Sequence, residues 1–348
     1  MIKLRPIKPD EKIAVAIPTK NRPSYLGILL TTLLNQTYAN FMIVINDQSD
    51  TPVELDDAVS SLLLVAKERG HEVVIIHTEG GWKRHQQAME AVPEPIEFIL
   101  RIDDDMLPDK FLIESLLKPF RLFPDRNLAA VGGCIPSPGM YEANLDVKLT
   151  ERSYFSTLDE LVSKLQCYHY YNDPEVIEVD SLYGGAICYR RRAVEDVGGW
   201  AVEGYSDVAY REESDLCARL FYNDYALMMT TEAVSWHLCA PGGGARTILK
   251  TPFGNFMTLG KSEVESDFRH FDERMKVLFV DKSPSLNDPK RYKIRDLEKN
   301  IYKASPLRTF KGRTLKLIES KLLRRLRGPY RYFKRYLELK RPGQRQIR

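Results

Sequence analysis

The sequence predicts an α/β fold: a mostly parallel sheet covered on both faces by helices. Three observations predict it. Between residues 13 and 102, short apolar runs alternate with longer amphipathic stretches. The runs are apolar at nearly every position rather than at every second one, the pattern of strands buried on both faces. And 348 residues, 43% hydrophobic and 28% charged, suffice to bury the core of one large α/β domain or two modest ones.

IAVAI (13–17) is read as the first strand, ended by Pro18. Residues 23–36 follow as a helix, with Pro23 in the first turn, where its missing N–H is tolerated. FMIVI (41–45) is the second strand, 53–70 a helix closed by Gly70, and 72–77 the third strand. Residues 82–92 are helical up to Pro93, and EFILRI (97–102) is a fourth strand that runs into Asp103-Asp104-Asp105. The second half is less regular. Residues 136–173 are rich in Tyr, Ser and charge and are read as a loop or small insertion; its YHYY (168–171) could stack on a flat ligand face or pack on the core. Residues 180–191 read as a strand with a glycine pair, followed by a helix to about Val197. Residues 211–226 form a strong helix, 226–239 strands, and 241–246 a flexible loop. No internal repeat is visible.

Several classes are excluded. No apolar run approaches the roughly 20 residues that span a bilayer. The start, MIKLRPIKPDEK, has no apolar core, so no secretory signal is expected. The five cysteines are odd in number and never spaced CxxC, which points to a reducing, cytoplasmic setting rather than to a disulfide framework or structural zinc. Neither GxGxxG nor GxxxxGK[ST] occurs, so the dinucleotide fingerprint and the P-loop are absent.

The net charge of +3 hides an asymmetry. Residues 303–348 hold sixteen Lys and Arg against Glu319 and Glu338, a net +14; the other 302 residues hold 35 basic and 46 acidic side chains, a net −11. Within that tail Leu315, Ile318, Leu322 and Leu326, then Tyr330, Phe333 and Leu337, recur at helical spacing. A basic amphipathic pair of helices without a spanning segment fits peripheral docking on an anionic membrane. No recognised nucleic-acid module accompanies the charge, and no nucleic acid is expected as a partner.

In an open α/β sheet the ligand sits beyond the carboxyl ends of the strands. Here those ends read Pro18-Thr19-Lys20-Asn21-Arg22, then Asn46-Asp47-Gln48-Ser49-Asp50, then Gly80-Gly81 with Lys83 and Arg84, then Asp103-Asp104-Asp105. Three adjacent aspartates repel one another unless a cation intervenes, and hard oxygen ligands suit Mg²⁺ or Mn²⁺.

VAIPTKNRPSYLGILLTTLLNQTYANFMIVINDQSD, RIDDDMLPDKFLIESLL, GGAICYRRRAVEDVGGW and EESDLCARL together resemble the family-two glycosyltransferases with the GT-A fold, over roughly residues 12–240. The resemblance implies inverting transfer of a sugar from a nucleoside-diphosphate sugar, a UDP-sugar by preference, to a hydroxyl of a glycan or glycolipid. It implies nucleotide contacts from Pro18, Thr19, Asn21, Arg22, Arg84, Asp103 and Asp104, with Asp47 accepting a hydrogen bond from uracil. It implies Mn²⁺ or Mg²⁺ on Asp105 and Asp103, completed by His237, and acceptor or sugar contacts from Gly184, Gly185 and Trp200. Glu213 takes the place of the catalytic base; the family usually has Glu-Asp there, and the Glu-Glu pair leaves Glu212 as a rival. The expected layout is a nucleotide-sugar half (1–105), an acceptor half (106–255), a helical connector (256–302) and the basic tail (303–348). Two other readings stay open: a nucleotidyltransferase with the same carboxylates, and a non-catalytic membrane- or nucleic-acid-binding protein acting through the tail.

Overall fold

The computed structural model describes residues 4–79, 81–136, 176–179, 181–200, 203–240, 242–244, 246–251, 254–259 and 261–281. Most of the expected insertion, YHYY included, and the whole basic tail lie outside the described residues. The first half runs β1 (Ile13–Thr19), α1 (Pro23–Leu33), β2 (Phe41–Asp47), a 3₁₀ turn (Val53–Leu55), α2 (Asp57–Glu68), β3 (Val73–His77), α3 (Arg84–Glu90) and β4 (Phe98–Ile102). Then come β5 (Met106–Pro108), α4 (Leu112–Leu122), β6 (Leu128–Cys134), β7 (Val176–Val179), β8 (Ala186–Arg190) and α5 (Arg191–Asp196). The described chain ends with α6 (Glu212–Tyr222), β9 (Ala226–His237), the hairpin β10 (Arg246–Thr251) and β11 (Gly254–Leu259), and α7 (Lys261–Asp281).

The main sheet has the order β3-β2-β1-β4-β8-β6-β9-β5, with β7 added on β9. From β3 to β4 every pairing is parallel, as the sequence predicts. Beyond β4 the pairing becomes mixed: β8 is antiparallel to β4 and β6, and β9 is parallel to β6 but antiparallel to β5 and β7.

The apolar runs explain the two-sided burial. Ile13, Val15 and Ile17 point to one face of β1 and pack with Leu26, Leu30, Val59 and Leu63 of α1 and α2. Ala14 and Ala16 point to the other and pack with Ala88, Met89, Ala193 and Leu216. Helix α2 starts where the Asp56 side chain accepts from Ala58 N and Val59 N, and it gives way at Gly70, whose φ of +86° suits a residue without Cβ. Strand β1 continues through Pro18 to Thr19 instead of stopping at Pro18. Its pairing with β4 ends at Ala16, so at Pro18 the strand has one neighbour and a missing N–H is tolerated.

Candidate active site

Strand register collects the post-strand residues along one edge of the sheet. Thr19 lies opposite Asp47, and Asp103 follows directly on β4. The antiparallel β4–β8 pair sets Ala186 against Ile102, so the Gly184-Gly185 turn flanks Asp103, whose N–H donates to Gly185 O at 2.9 Å. The β5–β9 pair sets His237 against Met106 and so carries the imidazole to Asp105. A cleft of about 500 Å³ opens there, lined by Pro18, Thr19, Lys20, Arg22, Gln48, Arg84, Arg101, the three aspartates, Tyr183 and residues 207–213. Its size is that of a site for a compact polar ligand.

Asp103 faces Arg101, while Asp104 and Asp105 share Arg22, whose Nη1 lies 2.9 Å from the first and 3.5 Å from the second. Asp104 is 3% exposed, accepts from Thr19 Oγ1 at 2.8 Å and pairs with Arg22 Nη1 at 2.9 Å. Burial pushes its pKa up to about 6 against the pull of Arg22. Asp103, about a third exposed, pairs with Arg101 Nη2 at 2.9 Å; desolvation would raise it, but Arg101 holds it below the ordinary carboxylate range. Asp105 accepts from Ala240 N at 3.0 Å and lies 3.4 Å from His237 Nε2. Burial would lower His237, yet its bonds to Asp105 and Cys239 lift it to about 10.

The Asp105 oxygen and the His237 nitrogen are a hard and a borderline donor, close to the roughly 3 Å spacing of adjacent ligands on an octahedral Mg²⁺ or Mn²⁺. These two residues would hold a divalent cation once it displaces the proton that Asp105 and Cys239 keep on His237. The Asp103 carboxylate pairs with Arg101 at 2.9 Å. Among the described residues, three acidic or histidine ligand atoms come within 4.8 Å of one another at Asp47, Glu54 and His77. There the two ring nitrogens of His77 face different carboxylates, Nδ1 toward Asp47 at 3.5 Å and Nε2 toward Glu54 at 2.9 Å, so the ring bridges the pair.

The two glutamates that open α6 have different surroundings. Glu212 is 5% exposed and held by Arg84 Nη2 at 2.7 Å and His85 Nε2 at 2.9 Å; burial, opposed by Arg84 and Arg101, pushes it up to about 7. His85 is buried beside Arg101 and Arg84, which keeps its pKa well below the usual imidazole value and the ring neutral. Its Nε2 lies between Glu212 Oε1 at 2.9 Å and Arg101 Nη2 at 3.0 Å, and its Nδ1 is 3.4 Å from Arg101 Nε. Glu213 is raised by burial against the pull of Arg101, and its carboxylate lies over Gly184, where a Cβ would meet Oε1 at 2.6 Å.

Other expected site residues serve as supports. Asp47 is 1% exposed and its two oxygens accept from Ser49 N and Val53 N, both at 2.9 Å, fixing the turn after β2. Asn21, at φ 55°, exchanges bonds with Ser49 and Asp50 rather than lining the cleft. Arg84 lines it while bonding Gly81 O, Asp207 O and Val208 O. Trp200 is 3% exposed and packs on Tyr189, His85 and Arg101 beneath the cleft, so its ring meets protein rather than open space.

Sequence reasoning missed Arg101, His85, residues 207–211 and the glycine loop. Arg101 left a signal, a lone charge inside the apolar strand EFILRI. The 242–244 loop, expected to be merely flexible, closes on the first strand end. Arg22 donates to Gly242 O at 2.7 Å and Gly243 O at 3.0 Å, and Gly244 N donates to Lys20 O.

The glycosyl transferase family 2 profile matches residues 14–197, more than half of the chain. The chain belongs to glycosyl transferase family 2. No curated protein matches it by sequence. Among solved structures, S. aureus TarS superposes with a TM-score of 0.51 at 15% identity, covering 88% of this chain and 45% of that one. The chain thus spans less than half the length of that neighbour. The TarS 1–349 structures in complex with UDP-GlcNAc and with UDP give TM-scores of 0.51 and 0.52 at 15% and 14% identity, covering 88% of this chain and 76% and 75% of theirs. These likenesses establish the shared GT-A fold. The family match ends before Glu212-Glu213, so the glutamates enter the site on geometry alone.

Proposed function

We propose that this family 2 member transfers a sugar from a nucleoside-diphosphate sugar, a UDP-sugar, to a hydroxyl of a glycan or lipid-linked saccharide, with inversion and with Glu213 as the base. The observation that carries the reading is the division of labour at the start of α6. Glu212 is buried, with Oε1 taken by Arg84 and His85 and Oε2 without a partner but enclosed, whereas the half-buried Glu213 lies in the cleft near Asp103 with its affinity for protons raised. The acceptor hydroxyl would pass its proton to Glu213 as its oxygen bonds the anomeric carbon and the bond from that carbon to the diphosphate breaks. Negative charge then grows on the leaving diphosphate, and Lys20, Arg84 and Arg211 in the cleft wall oppose it. Mn²⁺ or Mg²⁺ held by Asp105 and His237 would add positive charge at the same place. UDP is favoured because the TarS 1–349 structures of the same fold are complexes with UDP-GlcNAc and with UDP. The basic tail supports a lipid-linked acceptor and a peripheral place on the cytoplasmic face of a membrane.

The test is product analysis with a panel of nucleotide sugars and Mn²⁺. Release of nucleoside diphosphate, lost on adding EDTA, is the expected result. Pyrophosphate release would make the chain a nucleotidyltransferase, and full turnover in EDTA would remove the metal from the reading.

A further inference from the structure

Helix α7 carries none of the chemistry proposed above and lies outside the residues that match the family, yet it grips the wall of the cleft. The Asp267 carboxylate is 0% exposed and accepts three hydrogen bonds from the loop before α6. Ser206 N–H donates at 2.6 Å, the Ser206 hydroxyl at 2.8 Å and Tyr210 N–H at 2.7 Å. Two turns along α7, Arg274 donates to both oxygens of the buried Asp215 in α6, at 2.5 and 3.1 Å. The loop and the helix after it are thus tied to the same partner.

The loop needs the tie. Residues 207–211 line the cleft, and Ala209 and Arg211 hold φ of 49° and 80°, a left-handed conformation that side chains with a Cβ disfavour. The bonds from Asp267 fall at Ser206 and Tyr210, on either side of Ala209. The loop in turn shapes the first turn of α6: Glu212 N donates to Ala209 O at 3.3 Å and Asp215 N to Arg211 O at 2.9 Å. A hinge at Ala209 would therefore swing the helix start that carries Glu213.

We infer that Asp267 is a positioning residue for the transfer reaction: by clamping residues 206–210 it fixes the helix start and aims the Glu213 carboxylate. The catalytic half of this inference rests on the transferase reading above; the structural half does not.

The experiment uses the full chain with Asp267→Asn, which keeps the volume but replaces one accepting oxygen with a donor. Three quantities are read: amide exchange along the chain, the affinity for UDP with Mn²⁺, and kcat from nucleoside-diphosphate release. The inference expects exchange at residues 205–213 to quicken at least tenfold while β1 to β4 keep their protection. kcat should fall at least tenfold and UDP affinity by clearly less, since of the loosened segment only Arg211 faces the diphosphate; general destabilisation does not produce that split. Unchanged exchange at 205–213 overturns the clamp, and full kcat with a loosened loop overturns its role in positioning. If Asp267→Asn does not fold, Ser206→Ala removes the hydroxyl's bond to Asp267 together with the one it accepts from Val208 N–H, and should move exchange and kcat the same way by about two- to threefold; no change in either overturns the inference. Should the wild type release no nucleoside diphosphate from any nucleotide sugar, the transferase reading and the catalytic half fall together, and the exchange data still decide the clamp.

Discussion

A general base must be reachable and must not be locked to a cation, and at the scale of single residues Glu213 meets both conditions better than its neighbour. Replacing Glu213 with Gln keeps its size and removes the proton acceptor, so kcat should fall by about a hundredfold or more with donor affinity within twofold. Glu212→Gln should leave more activity and should also move the pH profile. The base works ionised, so the rate falls as pH drops through the Glu213 pKa, which burial has raised. The charge on Glu212 raises it further. Without that charge the proton is held less tightly, and the acidic limb of kcat should shift to lower pH. Profiles of kcat against pH for the wild type and Glu212→Gln check the sign; a limb that stays or rises would mean that Glu213 does not set it, and a deader Glu212 variant would exchange the roles.

At the scale of elements, the glycine loop after β9 shows how a segment without chemistry of its own can shape the site. Gly243, at φ +70°, lies so close to the first strand end that a Cβ would meet Lys20 O at 2.7 Å and Arg22 Cγ at 2.6 Å. Gly243→Ala should push the loop outward and release Arg22, which pairs with Asp104. We expect the affinity for UDP with Mn²⁺ to weaken about tenfold while the melting temperature stays within a few degrees; titration calorimetry and a melt check both, and unchanged affinity would make the loop passive. The parallel half of the sheet was legible because continuous apolar runs and punctuating residues such as Gly70 encode it locally. The aspartates were legible because they directly follow such a run. Helix α4 was not, because Pro119 sits inside it and no side chain caps its start. β5 is only three residues long, too short for any periodicity. Residues 207–211 were illegible for another reason: what holds Tyr210 is Asp267, 57 residues further along the chain.

At the scale of the whole molecule, the charge asymmetry has no counterpart in the cleft and calls for a separate role. No helix among the described residues is long and apolar enough to cross a membrane. The proposed contact with a bilayer rests on residues 303–348, whose sequence carries a net +14 and apolar residues at helical spacing from Leu315 to Leu337. Each basic side chain near an anionic surface contributes about 1 kcal/mol. That attraction fades beyond a Debye length, about 8 Å at physiological salt, while burial of the Leu and Phe stripe does not depend on salt. Binding to acidic liposomes should therefore weaken as salt rises from 50 to about 500 mM without vanishing, whereas a purely electrostatic tail would release completely. A chain ending at Tyr302 should lose sedimentation with these liposomes and keep transfer to a soluble acceptor, because every residue assigned to the cleft precedes it. Failure of the intact chain to sediment at low salt would remove the membrane role. If the shortened chain unfolds, the stripe is packing on the enzyme's own body, and the lipid-linked acceptor loses its support while the cleft chemistry stands.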